Sequence, residues 1–406
     1  MTLIDDHSAR KPLQRSKKDL IALAVISVLA ISLFAIAFFS APIRSAELTS
    51  SDKDHADYGQ LAVVPTELTE ITRIDDASPA LKPVMVEGMI AAYADDTLTA
   101  YTPQGDIAWT YKRSDAELCS LSGAWGKFVA TYKTHLGCGD VIAIDASSGK
   151  YAGTRSAPAP EQVVNISSND RIGTVSDKRV EIWRSDLVRT VEYGEVEAPQ
   201  ESDMQPNRDC TITSALTRTE LLAVTEKCSD ETWLRMQDTT PEDSRKPEVT
   251  ANAKISDNSV LVAVGQEVAA IYLPESTEIV GIDKAGEEVS RSAVQPIEAT
   301  EGLFEPAVAD LPNHMSFFDG SRLLLLNPAN MAVNTIYEGA LGTGIAIDGK
   351  LLFPVINGIA VADWKTQAIE NTIPVDRGSY DGPVSLANAG DAIVEKRGDE
   401  LVFLGN

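Results

Sequence analysis

Four cysteines are the residues whose spacing most directly predicts chemistry: Cys119, Cys138, Cys210 and Cys228. They form two pairs of similar spacing, and in each pair an apolar stretch, a polar turn and a second apolar stretch lie between the members. No C-x-x-C pair occurs, which disfavours a zinc site built from the four thiolates. We therefore predict disulfides Cys119–Cys138 and Cys210–Cys228, each closing an antiparallel hairpin and stabilising it by roughly 3 kcal/mol.

Other side chains that could act in catalysis are scattered along the chain and form no motif. His55, His135 and His314 lie in separate regions, which disfavours a multi-histidine metal site. The acidic pair Asp95-Asp96 stands at a predicted turn, where solvated carboxylates are common. No G-x-S-x-G nucleophile elbow occurs. The sequence therefore predicts no catalytic residue, no metal site and no cofactor.

An apolar segment near the N-terminus predicts a membrane-spanning helix. Residues 20–39 carry no charge, and about 20 helical residues cover the hydrocarbon core of a bilayer. Basic residues dominate the preceding stretch, which favours a cytoplasmic N-terminus. We expect a cytoplasmic segment at 1–19, a single transmembrane helix at 20–42 in the plasma membrane, a flexible stalk at 43–57 and an extracytoplasmic domain at 58–406.

A cleaved signal peptide is the alternative interpretation of the same segment. Signal peptides have an apolar region of about 7 to 15 residues that ends in an A-x-A-like site. The apolar run here is longer, and Arg44 occupies a position that needs a small residue for cleavage after Ala46. We therefore favour a retained signal-anchor.

The charge of the expected outer part limits its partners. The whole chain has 35 basic and 60 acidic residues. Without the five basic and three acidic residues of positions 1–19, 30 basic and 57 acidic residues remain, a net charge of −27. Such a field repels nucleic acid and anionic lipid headgroups. It favours a solvated acidic surface, with a protein or glycan of the cell envelope as the partner.

Short strands with alternating apolar residues recur about every forty residues after position 58, and no helical periodicity interrupts them. Each repeat contains a hairpin with an apolar marker on its first strand. The spacing matches the length of one four-stranded propeller blade, so we predict an all-β propeller, with eight blades favoured over seven. Residues 58–72 are expected to supply the missing strand of the last blade. The markers are Leu98, Ile142, Val180, Ile279, Leu323 and Ile359, with weaker copies at Leu234 and Leu401.

One repeat resembles a known family. The stretch 97–112, TLTAYTPQGDIAWTYK, followed by VIAIDASSGK, resembles the repeat of the pyrroloquinoline-quinone-type propellers, with Trp109 at the tryptophan position of the outer strand. The resemblance implies a propeller over 58–406, and the anchored form with degenerate blades is similar to envelope proteins of actinobacteria. Quinone-dependent members use adjacent cysteines and a calcium-binding acidic set, neither of which is found here. The resemblance therefore implies the fold without the cofactor.

The segment 293–314 is a predicted insertion between two blades. Its apolar residues Leu303, Phe304 and Val308 are expected to be exposed and are candidates for a partner loop, although an ordinary surface excursion is the favoured interpretation. The leading hypothesis is a noncatalytic interaction scaffold of the cell envelope. The alternative is a hydrolase or lyase acting on an envelope polymer. A third hypothesis, a ligand sensor, is disfavoured because 1–19 is too short for an output domain.

Overall fold

The computed structural model describes residues 16–168, 170–197, 199, 201–229, 231–298 and 303–406. The described chain divides into two compact units, which meet between Glu47 and Leu48. The first unit contains the long helix, and the second unit contains nearly all of the β structure.

The first unit is built on one helix, α1 (Lys17–Phe39). Ser16 caps its N-terminus in a capping box with Asp19: the Asp19 N–H donates to Ser16 Oγ at 3.2 Å, and the Ser16 N–H donates to Asp19 Oδ2 at 2.8 Å. None of its residues is buried, and its apolar window has a mean hydropathy of 2.9. By length and composition, it is the one helix of the described residues able to cross a bilayer.

The second unit is an eight-bladed β-propeller of antiparallel sheets. Two strands precede the blades, β1 (Ala46–Thr49) and β2 (Thr69–Asp75). Blade 1 contains β3 (Val84–Val86), β4 (Met89–Ala94), β5 (Thr97–Tyr101) and β6 (Ile107–Arg113). Blade 2 contains β7 (Leu118–Ala124), β8 (Lys127–Thr134), β9 (Gly137–Asp145) and β10 (Tyr151–Ser156). Blade 3 contains β11 (Val164–Ser168), β12 (Arg171–Val175), β13 (Arg179–Trp183) and β14 (Arg189–Gly194).

The remaining blades follow the same order. Blade 4 contains β15 (Thr211–Arg218), β16 (Leu221–Cys228), β17 (Glu231–Asp238) and β18 (Val249–Ile255). Blade 5 contains β19 (Val260–Val264), β20 (Val268–Leu273), β21 (Glu278–Asp283) and β22 (Glu288–Ala293). Blade 6 contains β23 (Ala307–Asp310), β24 (Met315–Phe318), β25 (Arg322–Leu326) and β26 (Val333–Glu338). Blade 7 contains β27 (Ile345–Ile347), β28 (Lys350–Val355), β29 (Gly358–Asp363) and β30 (Ile369–Pro374). Blade 8 contains β31 (Val384–Ala389), β32 (Ala392–Arg397) and β33 (Glu400–Gly405), with β2 as its outer strand.

The eight sequence markers all lie on the third strand of a blade, so the predicted count of eight is confirmed. Seven of them have no exposed surface, and Ile142 is 4% exposed. The register between the third and outer strands shifts once in every blade. A bulge at the same place in each repeat increases the twist of the outer strand. The eight sheets are therefore structurally equivalent, although their sequences have diverged.

An N-terminal strand completes the ring, as predicted. β2 pairs with β33 from Thr69 opposite Gly405 to Asp75 opposite Glu400. This strand lies at 69–75, whereas the sequence analysis placed it within 58–72. Residues 58–68 instead run along the ring, where the Leu61 N–H donates to Asn388 Oδ1 at 2.8 Å. The ends of the domain are thus held together by one sheet.

The sequence predicts a flexible stalk at 43–57, and residues 51–55 of this stretch are hydrogen-bonded to the propeller. The Ser51 Oγ donates to Ala108 O at 2.7 Å, and the His55 N–H donates to Ser147 O at 2.9 Å. Backbone hydrogen bonding holds this polar stretch in place although it lacks an apolar periodicity.

The hydrophobic core consists of layers between neighbouring blades. One cluster joins blades 5 and 6 around Phe317, and another joins blades 7 and 8 around Val402. Blades 1 and 2 meet through Trp109, whose ring lies 5.8 Å from that of Phe128. The Trp109 indole N–H donates to Ala146 O at 2.8 Å. Trp109 thus lies on the outer strand, as the family resemblance implied, and fixes the turn of the next blade.

A close contact between Trp109 and Gly149 leads to a first prediction. Gly149 has φ +67°, and a Cβ there would lie 2.5 Å from the indole ring. Gly349 has φ +68° with open space around the same position, which makes it a matched control. Gly349→Ala should lower the free energy of unfolding by about 1 kcal/mol, the cost of a left-handed Ala. Gly149→Ala should lower it by about 2–4 kcal/mol, because overpacking adds to that cost.

Urea denaturation of the two variants, followed by tryptophan fluorescence, measures the difference. Equal losses in both variants would show that Trp109 is free to move away and does not fix the turn.

Candidate functional site at the mouth of the central channel

The first strands of the eight blades line the central channel of the propeller. Because these strands all run in one direction, their first residues lie at the same face. We call this the connection face, since it carries the links between blades and the turns between second and third strands. The opposite face carries the other hairpin turns and is called the hairpin face.

The link between blades 5 and 6 reaches the wall of the channel. Near its start, buried Ile297 donates its N–H to the Tyr272 hydroxyl at 3.1 Å. Near its end, Phe304 donates its N–H to Thr213 O at 2.7 Å, and Thr213 belongs to the first strand of blade 4. Residues 299–302 of the predicted insertion lie outside the described residues. The part from 303 onward therefore contacts blade 4, the neighbour of the blade from which the link began.

The three residues of the predicted partner loop are not fully exposed, which corrects the sequence expectation. Leu303, Phe304 and Val308 are all half-buried. Leu303 packs against the core between blades 3 and 4, whereas Phe304 and Val308 pack against the core between blades 5 and 6. Val308 belongs to β23, a blade strand that the sequence analysis assigned to the insertion. Apolar side chains at this position cover gaps between blades, which explains their burial.

Glu305 follows these apolar residues and lies in a small cavity of about 30 Å³. The burial of its carboxyl raises the pKa of Glu305 to about 7. Sequence analysis did not select Glu305, because no motif surrounds it. Only the fold brings it against first strands of distant blades. The cavity is lined by Pro79, Ala80, Cys119, Ser120, Leu121, Val163, Val164 and Asn165.

Three further charged residues flank first strands: Lys82 lies just before β3, and Asp310 and Arg218 end β23 and β15 towards the hairpin face. Lys82 interacts electrostatically with the Asp310 carboxylate. Asp310 accepts a hydrogen bond from Arg218 Nη2 at 2.8 Å. The Leu81 carbonyl accepts one from Ser385 Oγ at 2.8 Å, which fixes the chain beside Lys82. The channel therefore carries charged and polar groups from several blades.

Both predicted disulfides are present. Cys210 directly precedes β15 and Cys228 ends β16, so this bond closes a hairpin as expected, with Cα atoms 4.4 Å apart. Cys119 and Cys138 lie on β7 and β9, so their bond joins the first and third strands of blade 2. The Cα atoms of the two cysteines are 6.0 Å apart. The expectation of a simple hairpin closure is wrong for that bond. Because Cys119 also lines the Glu305 cavity, the bond stiffens the wall of the cavity.

A set with the composition of a metal site proves to be structural. Cys210, Glu226 and Cys228 place ligand atoms within 4.8 Å of one another, but the two sulfurs form a disulfide. Glu226 is fully buried and accepts hydrogen bonds from the Tyr193 hydroxyl at 2.6 Å and from Arg235 Nε at 2.8 Å. The carboxylate thus joins blade 3 to blade 4.

Buried ion pairs recur in the blades and account for other polar residues of the interior. In blade 3, Arg179 donates to both Glu181 and Glu192, and the contact to Glu192 is 2.8 Å. Beside blade 8, Arg377 Nη2 donates to Glu395 Oε1 at 2.7 Å. These carboxylates are almost fully buried and paired, so they act as parts of the scaffold.

The structure keeps the histidines considered in the sequence analysis apart. His55 Nδ1 lies 2.7 Å from the Tyr58 hydroxyl beside the first blades. His314 stacks on Trp364 with ring centroids 5.6 Å apart, between blades 6 and 7. His135 lies in the turn between β8 and β9. Each histidine therefore has its own local surroundings.

Comparisons with solved structures show the fold. The computationally designed Ika8 protein is 11% identical, with a TM-score of 0.52 over 86% of this chain and 99% of that chain. The dihydro-heme d1 dehydrogenase NirN is 10% identical, with a TM-score of 0.51, and the match covers 80% of this chain and 73% of that chain. Sqt1 of Saccharomyces cerevisiae is 12% identical, with a TM-score of 0.50, and the match covers 83% of this chain and 98% of that chain. No protein-family model and no curated protein sequence matches the chain. At these identities the likeness extends to the propeller and no further.

The buried pair of Glu226 with Arg235 leads to a second prediction. Arg235→Met removes the cation but keeps an unbranched side chain, and leaves a buried carboxylate without its ion partner. We expect a loss of about 3–5 kcal/mol in the free energy of unfolding. The control is Arg73→Met, because Arg73 pairs with Glu400 at 2.8 Å where both side chains are about 40% exposed. That variant should lose less than about 1 kcal/mol.

Chemical denaturation of both variants distinguishes the two cases. If Arg235→Met unfolded at the same urea concentration as Arg73→Met, the buried pair of Glu226 with Arg235 would not stabilise the propeller.

Proposed function

We propose that this chain is a membrane-anchored, extracytoplasmic interaction scaffold that presents the connection face of its propeller to an envelope protein or glycan. Loops held on a rigid scaffold commonly carry binding function. The observation that supports the proposal is the position of Leu303 and Phe304, two half-buried apolar residues at the mouth of the channel. Apolar side chains surrounded by polar rim residues are a frequent centre of protein interfaces.

The helix and the disulfides support the cellular location in this proposal. α1 has the length and hydropathy of a bilayer span. All four cysteines are paired, which fits an oxidising compartment. The basic residues before the span favour a cytoplasmic N-terminus. The propeller is then on the outer side of the plasma membrane.

A labelling experiment in intact cells tests this topology. Ile356 is 65% exposed in a turn of the connection face, so Ile356→Cys places an accessible thiol on the propeller. A membrane-impermeant maleimide should label it in intact cells. Ser8→Cys, in the predicted cytoplasmic segment, should be labelled only after permeabilisation. The reverse pattern would reject the proposed orientation.

Photocrosslinking in the native membrane tests the interaction surface. A photoreactive phenylalanine analogue at Leu303 should give a discrete adduct with one partner. The same analogue at Val63, which is 67% exposed on the stretch along the hairpin face, should give none. An adduct from Val63 but none from Leu303 would place binding on the wrong face. Absence of any adduct from both positions would count against the scaffold function.

A propeller enzyme acting on an envelope polymer is the second candidate, and Glu305 is the observation that favours it. A carboxyl with a raised pKa in a channel is a typical general acid. Glycoside hydrolysis commonly needs a second carboxylate within about 5–9.5 Å. Among the described residues, no other carboxylate affects the pKa of Glu305. If purified protein cleaved cell-wall glycan and Glu305→Gln did not, this candidate would replace the scaffold.

A further inference from the structure

The connection that ends at Leu303, Phe304 and Glu305 is held at two places that differ in chemistry. The Phe304 N–H donates to Thr213 O at 2.7 Å, a bond that does not depend on pH. The Glu305 carboxyl lies beside the first strands of blades 2 and 3 and the stretch before blade 1. A short piece of chain thus bridges first strands of blades on several sides of the channel.

The surroundings of the carboxyl offer it no charge to pair with. The cavity lining consists of apolar side chains, the disulfide-bonded Cys119, and the neutral polar residues Ser120 and Asn165. Burial is the single cause that raises the pKa of Glu305 among the described residues. The neutral acid is therefore favoured in the cavity, and the carboxylate is favoured in water.

Several charged groups of the elements packed against this cavity have other partners, and Glu117, directly before β7, is an acid and so offers no cation. From the stretch before blade 1, Asp76 pairs with Lys396, and Lys82 interacts with Asp310. From the segment before blade 3, Glu161 Oε2 pairs with Lys133 Nζ at 3.0 Å. None of these cations pairs with Glu305. The charge in the cavity is therefore set by protonation of the Glu305 carboxyl alone.

We propose that Glu305 is a proton-operated latch that holds Leu303 and Phe304 in the mouth of the central channel. When Glu305 is protonated, the carboxyl remains in the cavity and the two apolar side chains pack on the blades. When Glu305 ionises, hydration of the carboxylate favours its exit and the release of the neighbouring residues. A role of this release in partner binding rests on the proposed function, whereas the latch itself does not.

The sign of the pH dependence follows from the two states of the carboxyl. Its pKa is about 7 with the latch closed and near the ordinary value of 4.5 with the latch open. The closed state binds the proton more tightly, so its stability is fully present below pH 4.5 and is lost as the pH rises towards 7. The opening equilibrium should increase by about tenfold per pH unit over that window and level off above pH 7.

Hydrogen exchange of the full-length chain in detergent tests the latch without a partner. The reporter is the Phe304 amide, with rates corrected for the intrinsic effect of pH on exchange. In the unsubstituted protein, the opening equilibrium reported by the Phe304 amide should increase from pH 5 to pH 7. In Glu305→Gln, the same amide should stay protected across this pH range. Glu298→Gln, which alters an exposed carboxyl of the same connection, should behave like the unsubstituted protein.

Two results would overturn the latch. One is a corrected pH profile that is the same in Glu305→Gln and the unsubstituted protein. The other is loss of Phe304 protection in Glu305→Gln at pH 5, because that side chain is neutral and similar in shape. A peptide from β28 and β29 reports global unfolding in the same samples.

Failure of photocrosslinking at Leu303 with a normal exchange profile would reject the scaffold and leave the latch in place.

Discussion

The burial of both faces of each sheet between its neighbours is the constraint on which the rest of this structure depends. A single four-stranded blade has two apolar faces, and each cluster of the core draws residues from two adjacent blades. Such clusters bury apolar area only if every blade has a neighbour on both sides. The ring must therefore close, and pairing of β2 with β33 closes it with main-chain hydrogen bonds. The channel and its mouth are consequences of this closure.

Ring closure also explains why charged residues are buried between the blades. A propeller of eight wedges encloses polar positions on its middle strands that cannot all reach water. Glu226 meets Tyr193 of the preceding blade and Arg235 of its own blade, and Glu395 meets Arg377 and Arg397. Such groups add less to stability than apolar packing does, but each requires a specific partner. They favour one arrangement of neighbouring blades over slipped alternatives.

Sequence patterns could predict the repeated part of the fold because each blade obeys the same local rules. Alternating apolar residues and turn residues identify the third strand of every blade, including the weak copies at Leu234 and Leu401. The cysteine spacing identified both disulfides for a similar reason, since each bond lies within one blade. The path of residues 51–68 could not be predicted, because its hydrogen bonds to distant blades and the packing of Leu61, Val64 and Leu68 on the core between blades 7 and 8 leave no periodic pattern.

The channel mouth could not be predicted from local patterns for a more general reason. Glu305 is separated from Cys119 and Asn165 by well over a hundred residues, and an acidic residue after two apolar ones is common in exposed loops. Only the closed ring brings first strands from different blades around one carboxyl, and only that enclosure changes its proton affinity. Burial without a cation among the lining residues makes the carboxyl easier to keep neutral than charged, so the enclosure itself favours a proton at the acidic residue of this cavity.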